Sequence, residues 1–151
     1  MFTINPFAEL SASIPTAYMQ GYVVVMILLV LGGTILDMLH KKSAQYFFEN
    51  AKKAQKSAKR SVGAGEKASI AASVLVNEVL TSGEFSNPRR RLSHLLTMWG
   101  TIIFIVATAI MIFGYPTPAT PTPALLPLLW HIGALMLAVG GYWFWLFIRV
   151  D

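Results

Sequence analysis

The chain alternates between long apolar runs and one densely charged segment. No charged residue occurs in the 27 positions from Leu10 to Leu36, or in the 57 positions from Leu92 to Ile148. Both runs exceed the ~20 apolar residues that a helix needs to cross a bilayer. Neither has the polar stripe of a soluble amphipathic helix. The pattern therefore predicts an all-α integral membrane protein.

The longer run is divided by a proline repeat at residues 115–123, Tyr-Pro-Thr-Pro-Ala-Thr-Pro-Thr-Pro. Proline has no backbone N–H and favours extended conformations, so the repeat predicts a stiff turn outside the membrane. Three transmembrane helices result, at residues 17–39, 89–114 and 124–148. The first is not interpreted as a cleaved signal peptide, because no Lys or Arg precedes it and no small-residue cleavage site follows it.

Of the 19 charged residues, 15 lie between Lys41 and Arg91, where 11 basic residues face four acidic ones and give a net charge of +7. The positive-inside rule then predicts the topology. Residues 1–16 and 115–123 are outside, residues 40–88 form a basic cytoplasmic loop, and residues 149–151 are inside. Nucleic acid is not an expected partner, because anionic lipid headgroups beside the helices account for the positive charge.

The first half of this loop has the pattern of an amphipathic helix, with Phe47, Ala51, Ala54 and Ala58 on one stripe and basic residues opposite. We expect the first span to continue into the cytoplasm as this basic helix. Two interpretations remain open: contact with anionic lipid headgroups, or docking of an acidic soluble partner. The residues that would serve either role are Lys52, Lys53, Lys56, Lys59, Arg60, Arg89, Arg90 and Arg91.

The second half of the loop predicts a helix at residues 67–80 that ends at Thr81-Ser-Gly83. Apolar residues surround most of this helix, so it needs cover on more than one side. A stable partner protein or the chain's own basic helix would supply that cover. Asn87 and Pro88 then suit the cap and first turn of the second span.

The chain has no cysteine, so any redox centre that it ligates must use His40, His94 or His131. His40 and His94 fall at the same membrane boundary and are the pair that could bracket a haem b, with its propionates near Arg89, Arg90 or Arg91. His131 lies about 10 Å deep from the opposite side, and would hydrogen-bond a carbonyl or a quinone. In the alternative interpretation, all three histidines form ordinary hydrogen bonds near the membrane interface and ligate no haem.

Other chemistry is not indicated. The sequence has no Gly-rich phosphate loop, no Ser/His/Asp constellation and no paired catalytic carboxylates, so independent hydrolytic chemistry is not expected, and no metal is expected apart from a possible haem iron. Small residues in the spans, such as Gly100, Gly133, Gly140 and Gly141, predict close helix packing in a compact bundle or a homo-oligomer.

Several segments together resemble the membrane anchor subunits of adenylylsulfate reductase. They are residues 39–53 (LHKKSAQYFFENAKK), 89–100 (RRRLSHLLTMWG), 129–134 (LWHIGA) and 140–145 (GGYWFW). The basic cluster followed by His-Leu-Leu, an aromatic residue and Gly also resembles the membrane cytochrome b subunits of quinone-interacting oxidoreductase complexes.

The resemblance implies a non-catalytic subunit in the bacterial inner membrane. Such a subunit docks the soluble flavin and iron–sulfur adenylylsulfate reductase on the cytoplasmic face and links it to the quinone pool during sulfur oxidation. The alternative is a non-redox structural or assembly protein of the membrane that binds a soluble partner through its basic loop.

Overall fold

The computed structural model describes residues 2–57 and 63–149. The described residues form α-helices and no strands, which confirms the all-α prediction. The helices are α1 (Pro6–Leu10), α2 (Thr16–His40), α3 (Ser43–Ser57), α4 (Ala64–Val74), α5 (Pro88–Gly114) and α6 (Leu125–Trp143). A π-helical turn extends α4 over Leu75–Leu80, and another extends α6 over Phe144–Ile148.

Three helical stretches are long and apolar enough to cross a membrane: Thr16–His40, Pro88–Gly114 and Leu125–Ile148. They agree to within one residue at each end with the spans predicted at 17–39, 89–114 and 124–148. The prediction of three membrane-spanning helices is therefore supported by length and composition, while their orientation remains a prediction.

The chain forms two compact units, one of Met1–Gln20 with Ala71–Asp151 and the other of Gly21–Ile70. The second unit contains most of α2, α3 and the start of α4. Lys41, the residue after α2, forms an ion pair with Asp37, in which Nζ lies 2.8 Å from Oδ1. The i,i+4 spacing predicts this pair.

The expectation that the first span continues without interruption into a basic helix is wrong. Lys42 has φ = 51°, in the left-handed region, so the backbone turns at residues 41–42 and α3 starts anew at Ser43. The next predicted helix also begins earlier than expected, at Ala64 instead of Lys67, and Lys67 N–H donates to the carbonyl of Gly63.

The first unit is built on an antiparallel hairpin of α5 and α6. Two hydrogen bonds show that α5 and α6 run in opposite directions. At one end of the hairpin, the Ser93 hydroxyl donates to the Gly140 carbonyl at 2.8 Å. Near the other end, Trp130 Nε1 donates to Thr108 Oγ1 at 3.0 Å.

Glycines let the two backbones of this hairpin approach each other closely. A Cβ added at Gly100 would lie 2.7 Å from the Leu137 nitrogen, and one added at Gly133 would lie 2.8 Å from the Phe104 nitrogen. A Cβ at Gly140 would lie 2.9 Å from the Ser93 carbonyl oxygen, whereas Gly141 faces open space. The predicted close packing is thus confirmed at Gly100, Gly133 and Gly140. It is not confirmed at Gly141, nor at Gly32 and Gly33 of the first span, which the sequence also favours for close packing and where a Cβ would meet no atom within 4 Å.

Asn5 ties the N-terminal segment to the proline-rich turn. Its Oδ1 caps α1 by accepting from the backbone N–H groups of Phe7 and Ala8, at 3.0 and 3.3 Å. Its Nδ2 donates to the Tyr115 carbonyl and to Thr122 Oγ1, each at 3.0 Å. Residues 1–16, expected only as a segment outside the membrane, therefore include a short helix attached to this end of the hairpin.

Candidate functional site

The segment that precedes α5 ends in a left-handed turn at Ser82, whose φ is 51°. The N–H of Gly83 donates to the Asn77 carbonyl at 2.8 Å and so satisfies one of the last carbonyls of this helix. A Cβ at Gly83 would lie 2.4 Å from that carbonyl oxygen, so this close approach requires glycine. The predicted helix stop at residues 81–83 is correct.

Three side chains of α5 hold this helix end. Arg91 Nε donates to the Thr81 carbonyl at 2.9 Å, and Trp99 Nε1 donates to the Leu80 carbonyl at 3.2 Å. Both interactions satisfy carbonyls at a helix terminus, where backbone acceptors lack intrahelical partners. A third interaction joins the Ser82 hydroxyl to His94. We refer to residues 80–82 together with the side chains of Arg91, His94 and Trp99 as the latch.

His94 contributes its Nδ1 to the latch, 2.8 Å from Ser82 Oγ. Ser82 is fully buried, and the Phe85 ring lies 5.0 Å from the imidazole. Among the described residues, no hydrogen bond engages Nε2 of His94, so one ring nitrogen is anchored and the other is available. Anchoring one nitrogen in this way fixes the ring orientation of histidines that bind a ligand through the other.

Beside the latch lies a groove of about 490 Å³ between the start of α5 and the end of the third span. We call it the basic groove, because Arg90 and Arg149 line it and no carboxylate does. The guanidinium carbon of Arg149 lies 4.7 Å from the centre of the Trp145 ring, a cation–π contact. The other lining residues are Phe85, Ser93, His94, Thr97, Gly141, Phe144 and Ile148.

His131 is engaged within its own helix. Its Nδ1 lies 2.7 Å from the Pro127 carbonyl, which can only accept, so Nδ1 carries the hydrogen. The rings of Phe2 and Trp130 contact the imidazole edge-to-face, with centroids at 5.0 and 4.9 Å. Hydrogen bonding to a carbonyl is one of the roles expected for this residue.

The hairpin keeps His94 and His131 apart. Trp130, next to His131, bonds to Thr108, which follows His94 by 14 residues along α5. At 1.5 Å per residue this is an axial separation of about 20 Å. The two histidines of the first unit therefore do not fit as the two ligands of one haem. The predicted pair of His40 and His94 involves both units and remains a prediction.

The basic residues predicted for docking are divided between the units. Lys52, Lys53 and Lys56 are exposed on α3 of the second unit. Arg89 and Arg90 are exposed at the start of α5, where the Asn87 side chain caps the helix by accepting from Arg89 N–H at 2.9 Å. Arg91 belongs to the latch. Lys59 and Arg60 lie outside the described residues, as do residues 150 and 151 of the predicted tail.

Exposed aromatic side chains accompany the lysines of α3. Phe47 and Phe48 are 68% and 62% exposed, and their rings contact each other edge-to-face at 5.6 Å. Aromatic and cationic side chains on one exposed helix are typical of surfaces that bind another protein or a lipid interface. This agrees with either interpretation left open for the basic helix.

Ser82 and Asn5 were not among the predicted site residues. The Thr81-Ser-Gly83 motif predicted a helix end, but no local pattern indicated that α5 would hold it. Comparison with known proteins adds no further residue, since no family model, curated protein or solved structure matches the chain.

Proposed function

We propose that the protein is a multi-pass membrane anchor that docks an acidic soluble protein through α3. The observation that carries this proposal is the exposure of Lys52, Lys53 and Lys56 on one short helix of a chain with three candidate spans. In the topology proposed from the positive-inside rule, α3 lies on the cytoplasmic side and the proline-rich turn lies outside.

Charge and apolar area on α3 suit a protein partner. Within the described residues, the one ion pair joins Asp37 and Lys41, so the three lysines have no acidic partner there. Complementary charges accelerate association and select partners, and exposed aromatic rings supply contact area. Phe48, four residues before Lys52 and therefore on the same side of α3, would provide that area beside the lysines.

The resemblance described above supplies the identity of the partner. We propose a cytoplasmic adenylylsulfate reductase, held at the bacterial inner membrane so that its electrons reach the quinone pool. Among the described residues of the first unit, His94 is the histidine with a free ring nitrogen beside a groove. It is therefore our first candidate for contact with a redox cofactor, which would need a second ligand or partner from outside that unit.

Charge reversal on α3 tests the docking role. Membranes carrying K52E/K53E/K56E should retain about tenfold less reductase than wild-type membranes, because like charges at an interface cost several kcal/mol. The matched control K52R/K53R/K56R keeps the charge and should retain the reductase. Equal retention by the charge-reversed and wild-type membranes would contradict docking through this helix.

A non-redox structural or assembly role is the second candidate, favoured by the engagement of His131 with its own helix. The two functions are separated by H40A, H94A and H131A in membranes that still hold the reductase. A loss of quinone-linked sulfite oxidation supports the electron-transfer role. Unchanged activity in all three variants supports the structural role.

A further inference from the structure

We propose that the basic groove binds the headgroup of an anionic phospholipid. The ligand class is a phosphate-bearing headgroup with acyl chains, and Arg90, Arg149 and Nε2 of His94 are the groups that recognise the phosphate. This inference requires the second and third spans to lie in a bilayer and is independent of their orientation and of the docking partner, whereas a redox cofactor at His94 would compete with the lipid for the same groove.

The charge of the groove favours an anion. Arg90 and Arg149 line it, no acidic side chain does, and in the described parts of the chain neither arginine forms an ion pair. Guanidinium groups bind phosphate oxygens through paired, charge-assisted hydrogen bonds. The contact with Trp145 holds the Arg149 guanidinium beside the groove before any ligand arrives.

The two hydroxyl groups of the groove already donate within the protein. The Ser93 hydroxyl donates to the Gly140 carbonyl at 2.8 Å, and the Thr97 hydroxyl donates to the Ser93 carbonyl at 2.8 Å. His94 remains, anchored through Nδ1 by Ser82 and with Nε2 free to contact a phosphate oxygen. Recognition is therefore assigned to two guanidiniums and one imidazole.

The wall of the groove favours an amphipathic ligand over a free phosphate ion. Phe85, Phe144, Trp145 and Ile148 present rings and aliphatic carbons next to the arginines. A phosphate ion would leave these surfaces in water, whereas a lipid would cover them with its glycerol region and first methylenes. Tryptophan at such a level is typical of membrane interfaces.

The position of the groove along the spans matches the headgroup level. Arg90 stands just before the apolar run that begins at Leu92, and Arg149 directly follows Ile148, the last residue of the third span. The Ser93–Gly140 bond brings these two ends together. Both cations therefore lie where two spans leave the hydrocarbon, which is the depth of lipid phosphates.

Native mass spectrometry of the purified full chain tests the proposal, with phosphatidylglycerol or phosphatidylcholine added to the detergent solution. The wild type should retain one phosphatidylglycerol in preference to phosphatidylcholine. R90Q/R149Q should bind phosphatidylglycerol at least tenfold more weakly, because it removes two guanidinium groups that form charge-assisted hydrogen bonds with the phosphate. R90K/R149K keeps the charge without the paired geometry and should bind at an intermediate level.

The matched control is K42Q/K67Q, which removes the same charge from exposed residues that do not line the groove. It should retain phosphatidylglycerol like the wild type, and equal tryptophan-fluorescence melting of the variants would show that the fold is kept. Equal loss in the control would overturn the proposal in favour of diffuse attraction. Unchanged binding by R90Q/R149Q, or a b-type haem or quinone that copurifies and is lost in that variant, would also overturn it.

Discussion

The buried hydroxyl of Ser82 lies 2.8 Å from Nδ1 of His94, and it joins the end of the α4 segment to the start of the second span. Arg91 and Trp99 bind the two preceding carbonyls, so three residues of α5 hold one helix end. The imidazole is thereby oriented by a residue 12 positions earlier in the chain. This relationship places His94 in both the latch and the basic groove.

The latch can be tested by comparing S82A with S82G. S82A removes the hydrogen bond, worth about 1 kcal/mol, but keeps a Cβ in the left-handed conformation. S82G removes the same bond and also relieves that conformation, which costs roughly 1–2 kcal/mol for a residue with a Cβ. We expect amide hydrogen exchange at residues 77–86 to be faster in S82A than in S82G. Equal or reversed protection in the two variants would contradict the left-handed turn, and wild-type protection in S82A would contradict the hydrogen bond.

The glycine contacts of the hairpin predict a sharp dependence on position. G100A and G133A place a Cβ within 3 Å of backbone atoms of the opposite helix, so the helices must move apart. We expect each to lower the stability of the hairpin by about 1–3 kcal/mol, the usual cost of overpacking. The measurement is thermal unfolding in detergent followed by tryptophan fluorescence.

G141A is the control for these variants, because a Cβ at this position meets no atom within 4 Å. Its melting temperature should equal or slightly exceed that of the wild type, since alanine favours helix more than glycine does. A similar loss of stability in G141A and G100A would show that the loss does not come from close contact with the opposite helix.

Two substitutions separate the helix cap formed by Asn5 from its hydrogen bonds to the proline-rich turn. N5A loses the helix cap and both bonds to the proline-rich turn, at a cost of about 2–3 kcal/mol. N5S keeps a hydroxyl that can cap α1 but is too short to reach the turn, and should cost about 1 kcal/mol less. Protease sensitivity near residues 10–16 should follow the order N5A, N5S, wild type. Equal sensitivity of all three would contradict the attachment.

The absence of native cysteine makes single-cysteine labelling a direct test of topology. T120C lies in the proline-rich turn and K56C lies on the exposed α3. If the positive-inside rule holds, a membrane-impermeant maleimide should label T120C in intact cells and K56C only after the membrane is opened. The reverse pattern would invert the proposed orientation and place the docking helix outside.

The sequence alone located the three spans, the proline-rich turn and the cap at Asn87, because these depend on composition and on bonds between near neighbours. It also indicated the close packing at Gly100, Gly133 and Gly140. It did not indicate the turn at Lys42 that separates α2 from α3, because a left-handed lysine has no characteristic sequence pattern. Nor could it separate Gly140 from Gly141, since helix rotation decides which glycine faces the partner helix.

Tertiary structure decided what surrounds the histidines. The sequence already placed His94 and His131 at different depths, and the hairpin register agrees, with an axial separation of about 20 Å. Ser82 anchors one of them beside Arg90 and Arg149, while the Pro127 carbonyl engages the other. Local patterns of apolar and charged residues determine which segments are membrane helices. The groove depends on residues 85–97 meeting residues 141–149, and contacts between such distant positions arise only when the two helices pack.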